Sequence, residues 1–270
     1  MASSSSGCPE GGVRGADGAP VSALRRAYLV GVYWISWAGF LGVGACFGLG
    51  VCLPLLVFSK ATGVRRFARR AIAFLMNVWI RWLHCTGVAR VHFEGFEPAP
   101  LPGTVYVANH PSLLDATFLL ARIPHAICIF KPALLRNPVT GPSAVLAGHL
   151  SAADGLDLFK DVQDRLGEGC SVLIFPEGRR TQTGAVLNPI RPGFAVIACR
   201  ARAPVQAVVI RTSRGLGRRG GVWWRPPAEL PARIVLRLDR RWEYCPETPP
   251  SALASEVEAH FQRRLSDFPV

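Results

Sequence analysis

A run of 31 residues, Tyr28 to Phe58, carries no charged side chain. About 20 consecutive apolar residues suffice to cross a bilayer as a helix, and buried core helices are usually shorter. The run therefore predicts a membrane segment. It is too long for the apolar stretch of a signal peptide, and no cleavage pattern follows it. Six glycines at 31, 39, 42, 44, 48 and 50 allow close helix contact or a break in the middle. Two geometries stay open: one tilted span, or a re-entrant pair of short helices. Trp34 and Trp37 suit an interfacial belt. Lys60, Arg65, Arg66, Arg69 and Arg70 follow directly. By the positive-inside bias they place the rest of the chain on the cytoplasmic face of a membrane.

The next segment, Arg65 to His84, is amphipathic. Phe67, Ala71, Phe74, Leu75, Val78 and Trp82 share one helical face, and Arg66, Arg70, Asn77 and Arg81 the other. Two readings compete. The helix lies on an anionic lipid surface, or it packs on a domain with a solvated basic edge. Net charge bears on the choice. It is +13, and of the 31 basic residues only Lys60, Lys131 and Lys160 are lysines. So basic a chain suits an anionic partner. No nucleic-acid motif accompanies the charge, so nucleic acid is set aside and membrane lipids are favoured. The 8 cysteines form no C-x2-C and several sit in apolar runs, so neither a metal site nor a disulfide framework is read.

Beyond residue 86, strands and helices alternate. Strands are expected at 87–96, 104–108, 126–130, 171–175 and 205–210, with an edge strand at 232–238. Helices are expected at 112–121, 155–167, 193–201 and 251–268. The pattern implies an α/β sheet with helices on its faces. The chain thus divides into a disordered Ser/Gly/Pro-rich tail (1–22), a membrane-anchoring segment (23–60), an amphipathic interfacial helix (61–86), the main domain (87–245) and a C-terminal helix (246–270).

The chemistry centres on Asn109-His110-Pro111-Ser112-Leu113-Leu114-Asp115. His110 falls where a strand ends and a helix begins, which is where open α/β sheets place reactive groups. Five residues turn a helix through about 140°, so His110 and Asp115 meet only if His110 lies in the loop before the helix. An imidazole held by a carboxylate then serves as a general base. Ser112-x-x-Asp115 also fits a capping box, which needs no catalysis. A second stretch, Phe175-Pro176-Glu177-Gly178-Arg179-Arg180, follows another apolar run.

Together, N-H-x4-D and F-P-E-G-x-R resemble the lysophospholipid acyltransferase family, which includes bacterial 1-acylglycerol-3-phosphate acyltransferases. Two further blocks occur in the matching order: Lys131-Pro132-Ala133-Leu134, and Arg191-Pro192-Gly193 followed by Ala203-Pro204-Val205. The resemblance covers roughly Gly87 to Ile210. It implies a mixed sheet flanked by helices, preceded by a membrane helix or helical hairpin. It also implies transfer of an acyl chain from a thioester, acyl-CoA or acyl carrier protein, to a lysophospholipid hydroxyl, with no further cofactor. His110 is then the base and Asp115 its orienting partner. Glu177 and Gly178 bind the acceptor, and Arg180 forks onto its phosphate. Lys131 and Arg191 are further phosphate candidates. No G-x-S-x-G marks a nucleophile, so direct transfer is favoured over an acyl-enzyme. Backbone N–H groups near Gly178 or at the helix start after His110 are candidate oxyanion donors.

This chain departs from the family pattern in places. Arg179 stands where Thr or Ser is usual, Ala207 replaces a second proline, and the run from His149 to Asp154 lacks a closing Arg. The missing Arg leaves room for a different acceptor. Two other readings remain: acyl transfer from acyl carrier protein to a non-glycerophosphate lipid or conjugate, and a non-catalytic lipid-binding relative. Eleven arginines between Arg200 and Arg241 would suit an acidic carrier protein, with Arg218 and Arg219 as docking candidates.

Overall fold

The computed structural model describes residues 22–266 except 124, 154, 156, 183, 214–224 and 228–229. Residues 1–21 of the expected tail and the docking candidates Arg218 and Arg219 lie outside the described residues.

The apolar run forms one uninterrupted helical path. Helix α1 (Ala23–Ala45) passes into a π-helical stretch (Cys46–Cys52), then α2 (Leu53–Leu55) and a 3₁₀ turn (Leu56–Phe58). Each junction residue keeps right-handed helical dihedrals. The open choice is therefore resolved within the segment: the glycines give a π stretch, not a reversal. The reversal comes after it, where α3 (Thr62–Cys85) folds back along α1. Ser36 ties the two helices. Its hydroxyl accepts from Trp82 Nε1 at 2.8 Å and its carbonyl from Trp79 Nε1 at 3.2 Å.

Much of the apolar stripe of α3 is left exposed. Phe67, Phe74, Val78 and Trp82 are all exposed, as are Leu24, Ile35, Leu41 and Val43 on α1. Inward instead are Ala68, Arg69, Ile80 and Leu83. Asn77, expected on the basic outer face, donates to the Ala121 carbonyl at 2.7 Å. The helix thus does pack on the domain, but through a third face, and it presents apolar surface outward. Water would disfavour such a patch, whereas a lipid phase would cover it.

After α3 come β1 (Ala89–Glu94), β2 (Val105–Ala108), α4 (Asp115–Arg122), β3 (Ala126–Phe130), α5 (Pro132–Leu135) and α6 (Gly141–Leu146). Then follow β4 (Leu150–Ser151), α7 (Asp157–Gly167), β5 (Ser171–Ile174), α8 (Gly193–Ala201), β6 (Val205–Thr212), β7 (Ala232–Trp242) and α9 (Pro250–Ser266). The strands form one sheet in the order β1-β7-β6-β2-β5-β3-β4. Only the β6–β7 pairing is antiparallel, so the sheet is mixed, as expected. The strand expected at an edge, β7, is internal. It runs on to Trp242 and is covered by β1, which takes the edge.

Burial explains the layering. All four residues of β2 are buried, as a central parallel strand with helices on both faces requires. Tyr106 and Ala108 pack on one side with Leu29, Trp37, Ile80 and Phe118 from α1, α3 and α4. Val105 and Val107 pack on the other with Phe194, Val257 and Phe261 from α8 and α9. The helical hairpin and the C-terminal helix are therefore both built into the core around the sheet.

The π stretch is seated at one tight point on the turn that leads into α6. A Cβ on Gly48 would stand 2.4 Å from the Val139 carbonyl oxygen, whereas one on Gly42 would meet nothing within 4 Å. Gly48→Ala should lower the thermal midpoint in detergent by the cost of an overpacked contact, about 1–3 kcal/mol. Gly42→Ala should leave the midpoint in place. Equal midpoints for both variants would show that the close seat does not hold the hairpin.

Candidate active site

β2 and β5 are parallel neighbours, with Val107 opposite Ile174. Their C-terminal ends therefore deliver the two motifs to one edge of the sheet. Asn109 closes the first strand end. Its side chain mimics a backbone, giving Nδ2 to the Ile210 carbonyl at 2.8 Å and accepting the Ile210 N–H at 2.7 Å. His110 follows in the loop, and α4 starts only at Asp115, three residues later than the expected helix.

That delay lets the pair form. His110 Nδ1 lies 2.8 Å from Asp115 Oδ2. The same oxygen accepts the Ser112 N–H at 2.8 Å, and Oδ1 accepts the Ser112 hydroxyl at 2.6 Å. One fully buried carboxylate thus makes the return bond of a capping box, to the Ser112 N–H, and the contact with His110. An ionised carboxylate accepts only, so Nδ1 carries the proton and Nε2 keeps its lone pair. The ring stacks on Phe175, with centroids 4.3 Å apart, and its side chain is 20% exposed. It is an imidazole held in one tautomer and still reachable.

Glu177 stitches the second motif to the first. Oε1 accepts the His110 backbone N–H at 2.7 Å, and Oε2 accepts the Asn188 N–H at 2.9 Å. The Thr181 hydroxyl lies 3.0 and 2.9 Å from the two oxygens. A return bond runs from the Thr181 N–H to the His110 carbonyl at 2.7 Å. The side chain is only 2% exposed. The resemblance implied that Glu177 touches the acceptor. Here both oxygens of its buried carboxylate accept from donors of the protein.

The acyltransferase family profile matches residues 90–211. A 1-acyl-sn-glycerol-3-phosphate acyltransferase of Chlamydomonas reinhardtii is 30% identical over 205 residues, covering 72% of this chain and 58% of that protein. One from Helicobacter pylori is 27% identical, over 62% of this chain and 68% of that one. Over residues 90–211 the chain is similar to the lysophospholipid acyltransferases. It spans roughly half the length of the plant and algal relatives it matches. The fold is that of the 1-acyl-sn-glycerophosphate acyltransferase PlsC of Thermotoga maritima, with a TM-score of 0.69 at 19% identity, over 90% of this chain and 96% of that one.

Within this family framework the remaining candidates gather at the same sheet edge. Gly178 is exposed and takes φ +66°, a conformation that favours glycine. The Arg191 guanidinium covers it, 3.4 Å from where a Cβ would stand, and the Arg191 N–H donates to the Pro176 carbonyl at 3.0 Å. The Gly178 N–H is already given to the Phe175 carbonyl at 3.0 Å, so it is no oxyanion donor in this arrangement. The Ser112 N–H is likewise taken. Arg180 is half-buried, and its carbonyl accepts from Asn188 Nδ2 at 3.1 Å. Lys131 is exposed at the C-terminal end of β3, on the far side of β5 from His110.

Thr181, Asn188, Asn109 and Phe175 hold the site together without having been assigned roles from the sequence. Asn188 carries no local signal at all, because its partners are 6, 8 and 11 residues away across a loop. Glu177→Gln should leave at least one buried N–H facing an amide N–H. A loss of about 1–3 kcal/mol is expected, seen as a lower thermal midpoint. An unchanged midpoint would mean that the stitch carries no stability.

Proposed function

We propose that the protein is a membrane-associated O-acyltransferase that moves a fatty acyl chain from a thioester to the hydroxyl of a lysophospholipid such as 1-acylglycerol-3-phosphate. The observation that carries the reading is the His110–Asp115 pair, with Nδ1 on a buried carboxylate and Nε2 left over. A hydroxyl is a poor nucleophile at neutral pH. His110 Nε2 takes its proton as the oxygen attacks the thioester carbonyl. Asp115 stabilises the imidazolium that forms. The tetrahedral intermediate then expels the thiolate, which receives that proton. Arg180, with Arg191 and Lys131 along the same edge, supplies positive charge for the acceptor phosphate.

A cavity of about 500 Å³ supports the substrate class. It lies among α1, α3, α4 and α6, lined by Phe40, Leu75, Trp79, Leu120 and Phe130 among others. Thr117 on its wall is two residues beyond Asp115 on the same helix. An apolar chamber of this size fits an acyl chain better than a polar substrate. The exposed apolar faces of α1 and α3 stand over it and suit contact with lipid. The basic residues from Lys60 to Arg70 favour a cytoplasmic-side domain.

The test uses membranes containing wild type or His110→Ala, supplied with lysophosphatidic acid and labelled acyl-CoA or acyl carrier protein. Wild type should form phosphatidic acid, and His110→Ala should lower the rate about 10²–10⁴-fold. The donor giving the higher rate names the co-substrate. Equal rates for the two proteins would overturn the role of His110. Turnover of other lipids alone would overturn the acceptor.

A further inference from the structure

Three buried side-chain nitrogens without a hydrogen-bond partner, Arg69 Nε, Arg165 Nε and His125 Nδ1, fall in one cluster. They are half of the six such atoms among the described residues. Arg69 is only 6% exposed, and its one hydrogen bond runs from Nη1 to the Ala147 carbonyl at 2.9 Å. Arg65, Arg69 and Arg165 converge above Gly148. Their side-chain atoms stand 3.6, 3.6 and 3.9 Å from where its Cβ would be, and φ of +79° keeps that side to glycine. Arg66 and Arg70 flank them on α3.

Charge, more than hydrogen bonding, makes the cluster unusual. Among the described residues the carboxylate paired here is Glu168, whose oxygens lie 2.9 and 3.0 Å from Arg165 Nη1, while Arg65 gives its Nε to the Ser59 carbonyl at 2.6 Å. Three converging guanidiniums thus meet one acid, with the exposed Arg66 and Arg70 adding positive charge nearby, and a buried cation lacking a counter-charge is costly. The two nearby histidines offer no negative charge. Burial, then Arg69, Arg70 and Arg66, lowers the pKa of His125. Burial and then Arg69 push that of His149 down to about 3. The space between Arg69, His125 and His149 is about 10 Å³, enough for about one water molecule. A water there would satisfy a nitrogen but leave the charge.

We infer that Arg65, Arg69 and Arg165 form a second binding site, for a phosphate-class oxyanion, seated over Gly148 and backed by the buried Arg69 guanidinium. Planar guanidinium forks match phosphate oxygens. The site stands apart from the proposed reaction. His125 precedes β3 and Glu168 precedes β5, so the cluster lies at the N-terminal ends of these parallel strands. His110 and Glu177 follow the opposite ends. Arg65 and Arg69 belong to the hairpin, whereas Arg165 closes α7. An anion here would neutralise the seam between hairpin and domain. Phe67, exposed on the same turn of α3, would lie in lipid beside it. The headgroup of an anionic phospholipid supplies such an oxyanion at that depth, as does free phosphate from solution.

The test follows thermal unfolding of the full chain in neutral detergent, so it reads binding, not turnover. Phosphatidylglycerol is titrated into phosphatidylcholine mixed micelles, and inorganic phosphate is titrated separately. Wild type should show a saturable rise of about 4 °C at tenfold over half-saturation. Arg165→Gln should weaken that response about tenfold or more. Arg81→Gln, which removes one exposed charge farther along the same helix, should respond as wild type does. Should Arg165→Gln fail to fold, Arg65→Gln carries the same expectation. A response to phosphatidylglycerol alone identifies the lipid as source, and one to inorganic phosphate identifies the free ion. No saturable response to either probe, or equal weakening in Arg81→Gln, would overturn the site.

Discussion

Glu177 places a carboxylate between two strand ends and fills it with donors from three places: the His110 N–H, the Asn188 N–H and the Thr181 hydroxyl. Burying that group without partners would cost several kcal/mol, so the loops around it have little freedom to part. The position of His110 follows from this. Its backbone is held on both sides by the second motif, and its ring is then turned by Asp115 and propped by Phe175. Two segments 67 residues apart in the chain thus behave as one rigid loop pair. Such rigidity is what a positioned base requires, since a displacement of about 1 Å in a reacting geometry is expensive.

The hairpin turns the usual order of a helix inside out. In a water-soluble domain the apolar stripe of α3 would face the core. Here Phe74 is 67% exposed and Arg69 is 6% exposed. A lipid phase on the outside would remove the penalty for Phe74. Inside, the guanidinium stem covers apolar surface while its head reaches a backbone carbonyl. The same arrangement concentrates positive charge where hairpin and domain meet.

Much of the site was legible because its signals are local. The five-residue interval from His110 to Asp115, a strand before it and a proline within it are enough to place the pair. The mixed sheet came from the family resemblance, and the alternation of strands and helices came from apolar runs. What escaped depends on distant partners. Whether Glu177 faces substrate or protein is decided by His110, Thr181 and Asn188. The internal place of β7 is decided by its pairing with β1, whose residues lie some 140 positions earlier. Periodicity correctly found the apolar face of α3 but could not say whether core or lipid covers it. Arg69 read as one more basic residue in an Arg-rich chain, since burial leaves no mark in the sequence.

Helix α3 is bonded to the domain at two carbonyls that both lie before the N-terminal ends of parallel strands, β4 and β3. Through Arg69 it holds the Ala147 carbonyl beside Gly148, and through Asn77 it holds the Ala121 carbonyl near the end of α4. Helix α4 begins with Asp115, two turns from Ala121. The seat of α3 thus bears on α4, the helix whose first residue is Asp115. Trp79 strengthens the link, stacking near Phe118 with centroids 6.3 Å apart while it bonds to Ser36 on α1. The apolar hairpin is therefore more than an anchor. It forms one wall of the cavity, holds the helix that orients the histidine, and carries buried charge at its far end. Each of these roles depends on α3 keeping its inward face on the domain and its apolar stripe outside.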